Sequence, residues 1–282
     1  MIKSPIIYNG KKERLLPQIT PLYPNIINNY YEPFCGGASV FFNLYNQNII
    51  NGNYYLSDLN WRILRLYEVI RDDLLGLDVT LQSFLNVSNP QQLFYYLRSV
   101  EDIAIPKNKK ALSTFSLGNS KTKLAAKDLF LNRMTKNGWR ENQAGQFNLP
   151  YYSAREANYF YQPTNLALVS KVFQDPNVYI KVEDYLNIEP RLVAGDFVYL
   201  DPPYEPASST ANFTSYTCNG FGQQEQKDLA QFVNRIGSKG VKFVLSNSLA
   251  AINLYTNPKF NILKIQTKGY KANPRYEILV SN

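Results

Sequence analysis

The feature that most constrains this chain is an alternation of strand-like and helical segments that stops and then resumes. "INNYYEPF" (27–34) reads as an extended run entering a turn, and "ASVFFNLY" (38–45) opens a helix. "NYYLS" (53–57) reads as a second strand, and "NWRILRLYEVIR" (60–71) spaces its apolar residues at helical intervals. From about 165 the pattern returns with strand-like "NVYIKV", "DFVYL", "VKFVLSN", "FNILKIQT" and "YEILV", and a helical "GQQEQKDLAQFVNRI" among them. Strands alternating with helices predict an α/β fold, a parallel sheet with helices on both faces. The stretch between has another character. Helical "NPQQLFYYLRSV" and "AAKDLFLNRM" precede "TKNGWRENQAGQFNLP", whose Asn, Gly and Gln with isolated aromatics read as a loop or hairpin rather than core. The expected organisation is an α/β domain made of 1–74 and 165–282, interrupted by an insertion at 75–164.

The insertion carries the charge. Between Arg98 and Arg155 lie eleven basic residues (Arg98, Lys107, Lys109, Lys110, Lys121, Lys123, Lys127, Arg133, Lys136, Arg140, Arg155) and four acids (Glu101, Asp102, Asp128, Glu141), so +7 of the formal net charge of +8 falls there. Such a block is the electrostatic footprint of a polyanion partner; the alternative is a merely solvated basic face. The 282 residues contain no histidine, which excludes a Ser-His-Asp triad, a Cys-His pair and every His-ligated metal. The two cysteines, Cys35 and Cys218, make no disulfide framework and fit a reducing cytosol. No apolar run approaches the roughly 18 residues of a membrane span, and the first residues do not read as a signal peptide.

Two loops end expected strands. In "YLDPPYEPAS" (199–208) an acid and two prolines stop a strand and stiffen the loop after it. Stiff polar loops at strand ends suit binding or catalysis; a Pro-rich turn with a solvated acid is the plainer reading. "EPFCGGAS" (32–39) pairs two glycines before a helix, where backbone can approach a ligand. Asp58 follows Gly37 by 21 residues at the end of the next strand, where such folds hold ribose hydroxyls. The combination points to a nucleoside-containing cofactor, with a helix cap as the other reading of Asp58. Both loops lie at carboxyl ends of strands and so face one crevice.

These stretches, with "YNGKKERLLPQI", "LSDLN", "NRMTKNGWRENQAGQFNLP", "GDFVYLDPPYEPASSTANFTSY" and "VLSNS", resemble nearly end to end the Dam-type (alpha group) DNA adenine-N6 methyltransferases, which use S-adenosylmethionine. The order of cofactor loop, recognition insertion and DPPY matches that group. The resemblance implies a Rossmann-like methyltransferase sheet with helices on both faces and an inserted, mostly helical target-recognition domain with a hairpin loop. It places cofactor contacts on Tyr8, Gly10 and Lys12, on Phe34, Gly36 and Gly37, on Asp58, on Asp184 and on Asp201. Tyr8 stands where the family usually has Trp, and Ala38 where it usually has a third glycine. Asp201, Pro202 and Tyr204 become the catalytic residues. Lys136, Asn137, Arg140, Asn142, Asn212 and Thr214 become DNA contacts, with Arg140 as base reader. Ile7 stands where members reading GATC tend to have Lys.

The chemistry suits those residues. The adenine N6 lone pair is conjugated into the ring. A carboxylate (Asp201) and a carbonyl (Pro202) each accept one N6–H and favour a pyramidal nitrogen. The base must be flipped out of the duplex, and Tyr204 would stack on it through its ring rather than its hydroxyl. Reactivity resides in the sulfonium, so no metal is expected. The expected partner is double-stranded DNA, with GATC as the site implied by the resemblance. A cognate restriction endonuclease would act separately, and no membrane partner is expected. The expected protein is a cytoplasmic monomer of bacterial, archaeal or phage origin. Competing readings are an RNA or protein-glutamine methyltransferase, a DNA-binding module without catalysis, and a nicotinamide oxidoreductase, against which the missing GxGxxG weighs.

Overall fold

The computed structural model describes residues 2–8, 10, 12–100, 121–136, 138–142, 146–154, 160–204, 221–267 and 275–282. Lys107, Lys109, Lys110, Asn137, Gly145, Arg155, Asn212, Thr214 and Cys218 lie outside them. Every run expected to be a strand is one: β1 (Tyr30–Glu32), β2 (Tyr54–Asp58), β3 (Val178–Val182), β4 (Phe197–Leu200), β5 (Lys242–Ser248), β6 (Asn261–Thr267) and β7 (Arg275–Ser281). They form one seven-stranded sheet in the order β3-β2-β1-β4-β5-β7-β6.

Strands β1 to β5 are parallel, but β7 runs antiparallel to both β5 and β6, so the sheet is mixed rather than wholly parallel. Connection length explains the reversal. Only residues 268–274 separate β6 from β7, whereas a parallel crossover needs a dozen residues or more. The winding direction changes between β1 and β4, which sets a crevice at their carboxyl ends.

Alternation along the strands divides the core into two layers. Tyr30, Phe197, Tyr199 and Val244 face one apolar cluster; Tyr31, Val198, Leu200, Phe243 and Leu245 face the other. The first layer is covered by α2 (Ser39–Gln47), α3 (Trp61–Asp72) and α7 (Pro163–Phe173), which follow a short α1 (Leu16–Ile19). The second is covered by α8 (Gln223–Ser238), whose start is fixed by the Gly222 N–H donating to Glu225 Oε2 at 2.9 Å.

Helices α4 (Leu74–Leu85), α5 (Pro90–Ser99) and α6 (Lys121–Arg133) belong to the interrupting stretch, and Leu77, Leu81, Phe94, Leu129 and Phe130 join the first layer. Two expectations for this stretch change. The aromatics around the hairpin are core: Trp139 and Phe147 are buried and pack edge to face with ring centres 5.5 Å apart. Nor do all its basic residues face outward, because Lys127 and Arg133 are buried. Three turns of α6 carry them inward among apolar neighbours, and desolvation lowers Lys127 to about 8.

Beneath the hairpin is a buried ionic cluster. Arg65 donates to Asp128, Arg62 lies 3.6 Å from Asp128 and 3.5 Å from Glu141, and Trp139 Nε1 donates to Glu141 at 3.1 Å. Both guanidiniums lie over the Trp61 ring, at 4.9 and 4.6 Å. Burial raises Glu141 to about 7, against the pull of Arg62. No helix among the described residues is long and apolar enough to cross a membrane.

Candidate active site

The crevice is built from residues that follow each parallel strand. After β1 comes the glycine loop, whose Gly36 has φ +42 and whose Gly36 N–H donates to Asp58 Oδ2 at 2.9 Å. A Cβ on Gly36 would lie 2.5 Å from the Tyr8 ring, so only glycine lets that aromatic lie on the loop. Tyr67 donates its hydroxyl to the Gly36 carbonyl at 2.6 Å. Ala38 adopts a left-handed conformation, φ 52 and ψ 32, just before α2. The glycine usual here thus answers a backbone need rather than a shortage of room, and alanine meets it at a steric cost of about 1–2 kcal/mol.

Asp58 ties two loops together rather than capping a helix, since the N-cap of α3 is Asn60. Its Oδ1 accepts the Asn60 N–H two residues on at 2.8 Å, an Asx-turn, and its Oδ2 ties down the glycine loop. A carboxylate has about four lone-pair sites, so capacity for a ribose remains. The next segment joins it, with the Glu183 N–H donating to the Asp58 carbonyl at 3.3 Å. Asp184 then caps the 3-10 turn Tyr185–Arg191 through the Leu186 N–H at 3.0 Å. Phe34 lies 5.2 Å from the Tyr185 ring and 5.8 Å from Phe221.

After β4 comes Asp201. Its Oδ1 meets Lys12 Nζ at 2.8 Å. Burial pushes the carboxyl up to about 6, while the Lys12 ammonium opposes the rise. Glu32, at the end of β1, is buried and pushed up to about 8, although Tyr30 and Phe41 both donate to its Oε2 at 2.7 and 2.9 Å. The Pro203 carbonyl accepts from Gln226 Nε2 at 3.0 Å, and Asn247 donates to Gln226 Oε1 at 2.8 Å. These buried amides, which carry no signal in the sequence, hold the DPPY loop from α8 and β5.

Glu277 is a further site residue that the sequence did not single out. It lies near the start of β7, opposite Ser248, and only the reversed direction of β7 brings it to the carboxyl edge of the parallel strands. Tyr204 donates its hydroxyl to Glu277 Oε2 at 2.7 Å, and Lys12 Nζ lies 3.8 Å from the same oxygen. The signal was an acid inside an otherwise apolar and aromatic run, "YEILV".

One segment, residues 7–12, reaches every part. The Ile7 backbone exchanges two hydrogen bonds with the Asn132 amide of α6, at 2.8 and 2.7 Å. A Cβ on Gly138 would strike the Ile7 carbonyl at 2.2 Å, so this segment crosses the base of the hairpin. Tyr8 covers the glycine loop, and Lys12 reaches Asp201. The hairpin itself is closed by Asn142, which exchanges backbone and side-chain bonds with Gln146 at 2.9 to 3.0 Å. Arg140 is exposed on it, its carbonyl accepting the Asn148 N–H, and Lys136 lies exposed, 5.9 Å from the Tyr152 ring.

The donor set fits S-adenosylmethionine. A carboxylate and a glycine loop suit a nucleoside, and Asp58 and Glu277 lie close enough to Asp201 for their charges to act on it, an acidic surrounding that suits a cationic sulfonium. Among the described residues no group of three or more His, Cys, Asp or Glu is arranged around a metal site. The family model for the D12 class of N6 adenine-specific DNA methyltransferases matches residues 8–269. The Type II methyltransferase M1.LlaDCHI of Lactococcus lactis subsp. cremoris is 31% identical over 98% of this chain and 93% of its own length. The Type II methyltransferase M.MjaIII of Methanocaldococcus jannaschii is 32% identical over 100% and 99%. The DNA adenine methylase of Escherichia coli K12 is 27% identical over 83% and 78%. A crevice of acids and glycines beside an arginine-bearing hairpin thus occurs in a chain that belongs to the D12 class of N6 adenine-specific DNA methyltransferases.

Proposed function

We propose that this enzyme transfers a methyl group from S-adenosylmethionine to the N6 amine of an adenine flipped out of double-stranded DNA, with residues 75–164 as the recognition unit and 1–74 and 165–282 as the catalytic unit. The observation that carries this reading is Asp201 at the end of β4, paired with Lys12 and flanked by Tyr204. Bound S-adenosylmethionine supplies an electrophilic methyl. Asp58, the Gly36–Gly37 loop, Phe34, Tyr8 and Asp184 would hold it.

Asp201 and the Pro202 carbonyl accept the two N6–H groups and turn the nitrogen lone pair toward the donor. Gln226 keeps their loop rigid through the Pro203 carbonyl. The methylated amine sheds one proton. Asp201, at about 6, can take it and return it to solvent near neutral pH. No metal has a role in this scheme. The Tyr204 ring stacks on the base, worth roughly 1–3 kcal/mol. Arg140, with Lys136 and Asn142 nearby, reads or grips the duplex; Asn137, Asn212 and Thr214 would add contacts. The enzyme would act as a cytoplasmic monomer alongside a separate restriction endonuclease, at GATC.

Methylation mapping of DNA from cells making this chain tests the reading directly. Methylated adenines in one short motif are expected. Arg140→Ala should lose about 1–3 kcal/mol of discrimination at one base pair and relax the motif. A motif unchanged by that variant makes Arg140 a phosphate contact, and methylation of RNA alone overturns the substrate.

A further inference from the structure

The proposed chemistry leaves a conflict in the crevice. Asp201 must accept the adenine amine, and its Oδ1 already meets Lys12 Nζ at 2.8 Å. The same ammonium lies 4.8 Å from the centre of the Tyr204 ring, on which the base is to stack. A carboxylate can accept from both, but a base stacked on that ring takes the room the ammonium occupies, so Lys12 has to swing away from Asp201 as the base arrives, and a largely buried ammonium cannot be left without a partner.

The crevice contains the second partner. Glu277 Oε2 is 3.8 Å from Lys12 Nζ, a gap that rotation of the flexible lysine end can close. The same oxygen accepts the Tyr204 hydroxyl at 2.7 Å, and burial together with Asp201 and Glu277 keeps that phenol protonated and donating. One carboxylate oxygen thus holds the ring and faces the lysine. Its backbone is paired on both sides, to Ser248 of β5 and Ile265 of β6, so it is a firm point of reference. The Gly10 carbonyl, which accepts from Nζ at 2.9 Å, is compatible with either seat.

We propose that Glu277 is a positioning residue for methyl transfer: it anchors the Tyr204 hydroxyl and so fixes the stacking ring, and it receives Lys12 when the adenine amine takes its place on Asp201. The inference rests on the assignment of Asp201 and Tyr204 above. It assigns the Tyr204 hydroxyl a role beyond that of the ring.

The test uses the whole enzyme, the duplex motif found by mapping, and 2-aminopurine in place of the target adenine to report flipping. Glu277→Gln keeps the shape and can still accept from Tyr204, but offers Lys12 no charge. Flipping fluorescence should survive, single-turnover transfer at its plateau should fall on the order of 10-fold, and the acid limb should move to lower pH because Lys12 stays on Asp201. Tyr204→Phe removes only the anchor and should lower flipping fluorescence several-fold with the acid limb unmoved. Combining the two should be non-additive, since both act through one carboxylate. Wild-type transfer and an unmoved acid limb in Glu277→Gln overturn the exchange, and wild-type flipping in Tyr204→Phe overturns the anchor. Asp201→Ala is run beside them. If it retains turnover, the underlying assignment falls; if it is dead while both other variants behave as wild type, only this inference falls.

Discussion

Two groups of charged side chains lie in this enzyme, one at the crevice and one beneath the hairpin, and they are built on opposite principles. In the crevice a single lysine lies between two carboxylates, and the side chains of Asp201 and Glu277 each keep 21% of their exposure. Beneath the hairpin the Arg65 and Asp128 side chains keep 0% and 2%, and Arg62 spans Asp128 and Glu141. Lys12 is itself buried, but with two part-exposed acceptors beside it the ammonium can change partners without being left unpaired. A guanidinium sealed among aromatics cannot, because an unpaired buried charge is far costlier than an exposed one. The first arrangement suits the proposed reaction, and the second ties the hairpin to the helix that starts after Asp58.

The largest effect that could break this contrast comes from Asp201→Ala. Methyl transfer should fall by about 10³-fold or more, since an acceptor that acts on the transition state is gone. The thermal midpoint should hold, because Lys12 still has Glu277. A large loss of stability would place the crevice pair among the structural ones. Asp128→Ala should do the reverse and cost roughly 3–5 kcal/mol, seen as a drop in midpoint on the order of 10 °C. The methylated motif should stay the same in whatever enzyme remains folded.

A third measurement concerns the acid behind the crevice. Glu32 is raised to about 8 in the folded chain, from an ordinary value of 4.5. Between those values the folded state holds a proton that the unfolded state has released. Stability should therefore fall as pH rises through this window, by up to about 1.4 kcal/mol per pH unit, and level off above pH 8. Glu32→Gln should remove that part of the slope in denaturant titrations; an unaltered slope would mean that Glu32 is ionised throughout. The smallest effect is at Ala38. Glycine there relieves the left-handed strain and should raise stability by up to about 1 kcal/mol. A lower midpoint would show that the methyl group packs usefully against the core.

Much of this was legible in the sequence. All seven strands, the crevice at their ends and the DPPY and glycine loops could be read from apolar runs punctuated by Pro and Gly, since those signals are local. What escaped depended on direction or on partners far along the chain. Glu277 belongs to the crevice only because β7 is reversed, and a parallel strand would have carried it to the opposite edge. Trp139 and Phe147 looked like loop aromatics because isolated rings among Asn, Gly and Gln show no periodicity that would mark them as core. Lys127 and Arg133 counted toward a basic surface because helical phase alone does not show which face meets a neighbour. Gln226 and Asn247 gave no sign, as buried amides that support a loop resemble any others.

The segment 7–12 also bears on how the enzyme is made. Its first partners, the glycine loop and Ser39, follow closely in the chain, but Asn132, Gly138 and Asp201 are made much later. Lys12 comes from near one end of the chain and Glu277 from near the other. The crevice is therefore assembled only after β7 has been made. A chain cut short before β7 lacks Glu277 and with it the second acid beside Lys12.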